Sequence, residues 1–135
     1  MGLSPLTRNE NEQDAYPLPI EQHDGQPLVA DWAPLIRGVL ADRAAGVPVS
    51  RISARFHNAL ADMALEIAAS AAPGLPIVLS GGCFQNALLT ERVQSRLSEA
   101  GHLVYTHKRV PPGDGGIALG QVLLGLLQTN VLPRK

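Results

Sequence analysis

Residues 76–90 read PIVLSGGCFQNALLT, a short apolar run that stops at two adjacent glycines and gives way to an amphipathic stretch. A short, continuous apolar run is typical of a buried strand in a parallel sheet. The residues after the glycines have helical spacing instead. We therefore predict a strand at 76–79, a glycine turn, and a helix over about 84–100.

The pattern continues toward the C-terminus. Gly101 is placed to end the helix, and the apolar run LVYTH at 103–107 predicts a second strand. The loop KRVPPGDGG then leads to a helix predicted over about 116–128. A strand, helix, strand order with a helical connection predicts a right-handed crossover between parallel strands.

The N-terminal half predicts a hairpin followed by two helices. The segments YPLPI (16–20) and QPLVAD (26–31) flank Asp24-Gly25, a common hairpin turn pair, and their prolines restrict them to edge strands. Asp31 is the predicted N-cap of the first helix, which Gly46 ends. The second helix is predicted to run from Ser50 to about Ala72.

Size and composition indicate one globular α/β domain with a small, mainly parallel sheet, flanking helices and an N-terminal hairpin. The chain has 135 residues, of which 45% are hydrophobic and 17% charged, so it is too apolar for disorder along its whole length. Two parallel strands and a hairpin make a thin sheet. This suggests that the chain is half of a larger unit.

Charge and cysteine content exclude several classes of protein. Eleven Lys and Arg against twelve Asp and Glu leave a formal charge of −1, which argues against nucleic-acid binding. No apolar stretch is long enough to span a bilayer, so no membrane contact is expected. Cys83 is the only cysteine, which excludes an internal disulfide and a cysteine-based zinc finger. A cytoplasmic protein is expected.

Two glycine-rich loops are the candidate binding site. SGGCFQN (80–86) follows the first parallel strand, and PPGDGG (111–116) follows the second. Ligands of open α/β sheets bind beyond the carboxyl ends of the strands, where helix N-termini favour phosphate. The alternative is purely structural: a tight turn at Gly81-Gly82, and a helix start at Gly115-Gly116 with Asp114 as its N-cap. Spacing alone does not separate the two interpretations.

The stretch LSGGCFQNALLTERVQSRLSEAGHLVYTHKRVPPGDGGIALGQ (79–121) closely resembles the C-terminal end of HypF-type hydrogenase maturation carbamoyltransferases. The segments ISARFHNALADMALEIA (52–68) and YPLPI extend the resemblance over residues 15–128. It implies the distal lobe of a Kae-like domain with an actin-like ATPase fold. We expect that lobe at 15–129, between a disordered tail at 1–14 and a C-terminal tail at 130–135.

The resemblance also implies an activity and a site. The intact enzymes make carbamoyl-adenylate from carbamoyl phosphate and ATP, and transfer the carbamoyl group to the C-terminal cysteine of HypE for nickel-iron hydrogenase. The residues that match the family's nucleotide loops are Ser80, Gly81, Gly82, Gln85, Asn86 and Gly115. Asp114 matches a carboxylate that binds a divalent metal, which is zinc, iron or magnesium.

The sequence lacks several features of the family. The two metal-binding histidines of an HxxxH helix are absent, because His23, His57, His102 and His107 are spaced differently. The acylphosphatase-like, zinc-finger and YrdC-like parts are absent too. The chain alone is therefore expected to be incomplete, and to associate with the missing proximal lobe or with itself. The alternative is a non-catalytic remnant that acts as a binding or interaction module. A third interpretation is a sugar kinase of the same superfamily.

Several single residues have two interpretations. Cys83 could be a nucleophile, but we expect a small buried residue. His57 could face the nucleotide, but we expect a packed or capped core histidine, and we expect His107 in a solvated loop rather than on a phosphate. The stripe of Leu119, Val122, Leu123 and Leu126 predicts a core face, part of which the missing lobe could leave exposed.

Overall fold

A computed structural model describes residues 12–22 and 25–128 of the chain. In chain order the elements are β1 (Ile20–Glu21), β2 (Val29–Ala30), α1 (Ala33–Ala44), α2 (Val49–Ala71), β3 (Ile77–Leu79), α3 (Ala87–Glu99), β4 (Val104–Thr106) and α4 (Ile117–Gln128). Two short 3-10 helices, Gly82–Gln85 and Asp114–Gly116, precede α3 and α4. The predicted α/β class and the predicted order of elements are both confirmed.

The strands form two separate pairs. β1 and β2 are antiparallel, with Ile20 opposite Ala30, and make the predicted N-terminal hairpin. Asp24 of its predicted turn lies outside the described residues. β3 and β4 are parallel, with Leu79 opposite Thr106, and α3 connects them as the crossover helix. The small parallel sheet is therefore the one that the sequence predicts.

The helix ends follow the predicted signals closely. The Asp31 carboxylate accepts a hydrogen bond from the Ala33 amide at 2.9 Å, so it caps α1 although Trp32 is the residue directly before the helix. Gly46 and Gly101 follow α1 and α3 with φ of 73° and 89°. That left-handed conformation favours glycine and stops a helix from continuing.

The long helix α2 contributes to two hydrophobic clusters. One cluster joins it to α3 and β3, and its buried members are Ala61, Ala68, Leu79, Leu89, Val93 and Leu97. The other joins it to the N-terminal segment and α1, and its buried members are Tyr16, Leu18, Leu35 and Ala59. Most of the buried residues of α2 are alanines, whose small side chains let neighbouring elements approach the helix closely.

A hydrogen-bond network joins the second cluster to its surroundings. The Tyr16 hydroxyl donates to Asp42 Oδ2 at 2.6 Å, and Arg55 Nη1 donates to the same oxygen at 2.9 Å. Burial, together with the bond to Asp42, raises the pKa of Tyr16 to about 12. The bonds from Tyr16 and Arg55 lower the pKa of Asp42. The network ties the N-terminal segment to both α1 and α2.

The fully buried Asn58 of α2 holds the segment at residues 12–14. Its amide nitrogen donates to the carbonyl oxygens of Glu12 and Asp14 at 2.9 and 2.7 Å, and its oxygen accepts from Arg92 of α3. Glu12 also pairs with Arg51 at 3.0 Å. The other residues of the predicted tail, 1–11, lie outside the described part of the chain.

Several apolar side chains that helical spacing assigns to a core are exposed. Trp32, directly before α1, and Ile36 and Leu40 on α1 are exposed, and only Leu35 of that helix is buried. The predicted core face of α4 is not found, since no residue of that helix is buried. Leu119, Val122 and Leu123 are at least half exposed, which agrees with the alternative that this apolar surface is left uncovered. No helix among the described residues combines the length and apolarity that crossing a membrane requires.

Candidate functional site

The two glycine loops meet at the carboxyl edge of the parallel sheet. Because Leu79 and Thr106 are opposite each other in the register, the residues that follow them, Ser80 and His107, leave the sheet side by side. The loops enclose an open cavity of about 380 Å³ that extends to Ile117 at the start of α4. This position, at strand ends and a helix N-terminus, is where α/β folds bind ligands.

One hydrogen bond and one close approach join the loops. The Gly81 amide donates to the Pro112 carbonyl at 2.7 Å. On the other side of the contact, a Cβ atom at Gly113 would lie 2.7 Å from Gln85 Nε2. The first loop therefore lies directly against the second, and the cavity has a wall made from both.

The predicted nucleotide-binding residues divide into two groups. Ser80, Gly81 and Gly82 line the cavity together with Asp114, the predicted metal ligand. Three others are outside the lining: Gln85 packs against Gly113, Gly115 packs against Pro111, and Asn86 caps α3. The binding role of all seven residues stays a prediction.

Asn86 is held by α3 and α2. Its side-chain oxygen accepts from the Leu89 amide at 3.2 Å, so its amide nitrogen faces His57 Nε2 at 2.9 Å and donates to it. His57 Nδ1 lies 2.7 Å from the Ser53 carbonyl oxygen and therefore carries the ring hydrogen. His57 is thus half-buried and hydrogen-bonded, close to the predicted packed histidine, and it also orients the cap of α3.

The start of the helix in the second loop differs from the purely structural alternative, in which Asp114 caps it. Asp114 is the first residue of the 3-10 helix rather than its cap, and the residue before the helix is Gly113. The N-cap role that the purely structural alternative gives Asp114 is therefore not found. Its carboxylate lines the cavity, where a single negative charge accompanies the backbone amides at the start of α4.

The structure bears on the two interpretations of Cys83 and on those of His107. Cys83 is exposed, so the expectation of a buried cysteine is wrong. His107 belongs to the cavity lining, and its Nε2 lies 3.0 Å from Ser80 Oγ. The expectation that His107 lies in a solvent-exposed loop is confirmed, and its place in the cavity lining comes in addition. Its position directly after the second parallel strand, matching Ser80 after the first, is the signal that could have identified it.

The predicted metal site is not complete within the described residues. Among them, no three His, Cys, Asp or Glu side chains lie close enough together to hold a metal ion. Asp114 supplies one carboxylate, whereas metal sites of zinc or iron need about three or four protein ligands. The described part of this chain therefore does not fit a metal centre on its own.

Comparison with known proteins decides the family. Residues 1–121 match the family model described as carbamoyltransferase, Kae1-like domain, second subdomain. The chain belongs to the HypF carbamoyltransferase family. It is 32% identical over 112 residues to carbamoyltransferase HypF of Synechocystis sp., covering 82% of this chain and 14% of that protein. It is also 39% identical over 100 residues to HypF2 of Cupriavidus necator, covering 71% and 12%.

Solved HypF structures share the fold. A full-length HypF in its phosphate- and nucleotide-bound form is 35% identical, with a TM-score of 0.74, and the match covers 84% of this chain and 15% of that one. HypF of T. kodakarensis, at 24% identity and a TM-score of 0.63, agrees in fold. The chain spans less than a fifth of the length of these HypF proteins.

Proposed function

We propose that this chain is the nucleotide-binding portion of a HypF carbamoyltransferase, which moves a carbamoyl group from carbamoyl-adenylate to the C-terminal cysteine of a HypE-type protein. The observation that carries the proposal is the cavity of about 380 Å³ between the two glycine loops. The nucleotide-bound state of a HypF structure that this chain resembles supports it. The remaining catalytic groups come from parts of HypF that this chain does not span.

In the carbamoyl transfer, the proposed role of the cavity is to hold the AMP part of carbamoyl-adenylate. In the transfer, the thiolate sulfur of the acceptor cysteine attacks the carbamoyl carbon, a sulfur–carbon bond forms, and the bond from that carbon to the phosphate oxygen breaks. AMP leaves with the electron pair. A site that holds the AMP part in a fixed position therefore serves both as substrate anchor and as leaving-group site.

The cavity residues suit that task in specific ways. Gly82 has no protein atom within 4 Å of the position where a Cβ would be, so its backbone is open to a ligand. The first amides of α4 lie at the cavity edge, where a helix N-terminus attracts phosphate. The Ser80 hydroxyl can donate a hydrogen bond to an oxygen of the same group.

A titration with a matched glycine pair tests the proposal. The 135-residue chain is titrated calorimetrically with ATP, AMP and a non-hydrolysable carbamoyl-adenylate analogue. Gly82→Ala places a methyl group in the cavity and is expected to weaken binding at least about tenfold, or about 1.4 kcal/mol. Gly120→Ala adds the same methyl group on α4, where nothing lies within 4 Å of it, and is expected to leave binding unchanged.

Different titration results contradict different parts of the proposal. No binding of any of the three ligands by the unaltered chain, shown to be folded by circular dichroism, contradicts the proposal for this chain. Binding that both glycine variants retain equally contradicts the position of the site. Equal loss in both variants also contradicts the position of the site, because Gly120 is outside the cavity lining.

A further inference from the structure

Of the described residues that line the cavity, His107 alone has a side chain able to carry positive charge. The neighbouring Lys108 and Arg109 are not part of the lining. Asp114 brings a negative charge into the same cavity. An anionic ligand in this cavity would therefore lie near one side chain that can be positively charged, His107, and one that is negatively charged, Asp114.

His107 is held at the sheet edge by its position after β4 and by its contact with Ser80, and it is otherwise exposed. It directly follows Thr106, the last residue of β4, and its Nε2 lies 3.0 Å from Ser80 Oγ. His107 is exposed and belongs to the cavity lining. A protonated ring can donate its Nε2 hydrogen to Ser80 and its Nδ1 hydrogen to a ligand, and the hydroxyl hydrogen of Ser80 is then also free for a ligand oxygen.

We propose that His107 is a ligand-contacting residue that pairs, as an imidazolium, with the phosphate group of the bound nucleotide. The inference rests on the proposed function and adds to it the group that recognises the anion. A hydrogen bond from a cation to a phosphate oxygen is shorter and stronger than one between neutral groups. His107 therefore supplies the attraction that offsets repulsion by the Asp114 carboxylate.

Two substitutions separate charge from hydrogen bonding. His107→Gln keeps an amide that can bond to Ser80 but removes the charge, and His107→Lys keeps a charge with a different shape. His102→Gln is the matched control, because His102 lies before β4, at the opposite end of the strand from the cavity. Each variant is titrated with AMP and with adenosine, which has no phosphate.

We expect His107→Gln to weaken AMP binding about tenfold or more, the size of a hydrogen bond to a charged group. Adenosine binding is expected to change little in that variant. His107→Lys is expected to retain most of the AMP affinity, and His102→Gln all of it. Higher salt concentration weakens AMP binding by the unaltered chain more than by His107→Gln, because screening acts on the charge.

Two different failures can be distinguished. If the unaltered, folded chain binds neither AMP nor adenosine, the proposed function fails and this inference fails with it. If the chain binds AMP and His107→Gln binds it equally well, the inference alone is overturned. The same holds if the Gln and Lys variants lose AMP and adenosine to the same extent, since that pattern indicates a structural role.

Discussion

The amide of Gly81 donates a hydrogen bond to the carbonyl oxygen of Pro112, 2.7 Å away, across the two loops that form the cavity. The bond requires the backbone of Gly81 to adopt φ of 107° and ψ of 158°. That region is open almost only to glycine. The two loops therefore depend on a conformation that other residues reach only with strain.

We expect Gly81→Ala to destabilise the chain by about 1 to 3 kcal/mol, the strain of that backbone conformation in a residue with a Cβ. Gly82→Ala is the matched control and is expected to change stability by less than about 0.5 kcal/mol, as at most open positions. Urea unfolding of both variants measures the difference. Equal stabilities would show that the loop relaxes out of this conformation.

The cap of α3 can be tested apart from nucleotide binding. Asn86→Ala removes the oxygen that accepts from the Leu89 amide and is expected to cost about 1 kcal/mol of stability. Asn86→Ser keeps a capping oxygen and loses the amide that donates to His57, so it is expected to recover most of that loss. Thermal unfolding followed by circular dichroism compares them. A serine variant as unstable as the alanine variant would mean that the bond to His57 dominates.

Truncating a buried leucine and an exposed leucine is expected to change the stability of the chain by very different amounts. Leu97 of α3 is 1% exposed, so Leu97→Ala is expected to cost about 2 to 5 kcal/mol. Leu123 of α4 is 50% exposed, so Leu123→Ala is expected to change stability by less than about 0.5 kcal/mol. Urea unfolding at low protein concentration checks both. A large loss for Leu123→Ala would show that α4 is covered in solution.

The Tyr16–Asp42 bond predicts how stability depends on pH. The pKa of Tyr16 is raised from 10.0 to about 12, so its contribution is complete below pH 10.0 and is lost as the pH rises toward about 12. The pKa of Asp42 is lowered from 3.8, so its contribution is complete above that pH and is lost as the pH falls through the lowered pKa. Unfolding free energies measured across pH check both directions.

Two tyrosine variants provide the control for the alkaline side. Tyr16→Phe removes the titrating hydroxyl, so its stability is expected to fall less steeply than that of the unaltered chain between pH 10.0 and about 12. Tyr105→Phe changes an exposed ring on β4 and is expected to follow the unaltered chain. A parallel fall in all three proteins would exclude Tyr16 as the responsible group.

The elements could be predicted because their signals are local. The apolar run before Ser80, the 3.6-residue spacing of α2 and the glycine after α3 each act within a few residues. The cavity could also be predicted in outline, since both glycine loops follow parallel strands. His107 follows from the same reasoning once the strands are paired in register.

The failures have a common physical cause. A helical stripe shows which face of a helix is apolar, but not whether another element covers it, and α4 has an apolar face that is exposed. Contacts between distant residues leave no local signal either. The bond between Asn86 and His57, and the anchoring of Glu12 by Asn58, join segments 29 and 46 residues apart.

The position of the exposed α4 would couple the cavity to any protein surface that covered that helix. The first turn of α4 is at once the edge of the cavity and the start of an apolar surface that includes Leu119 and Val122. A protein that docked on α4 and steadied its first turn would raise the affinity for a ligand in the cavity. By thermodynamic reciprocity, the ligand would then tighten that docking by the same factor. Ligand affinity in the cavity and assembly through α4 would then be two measurements of one coupling free energy.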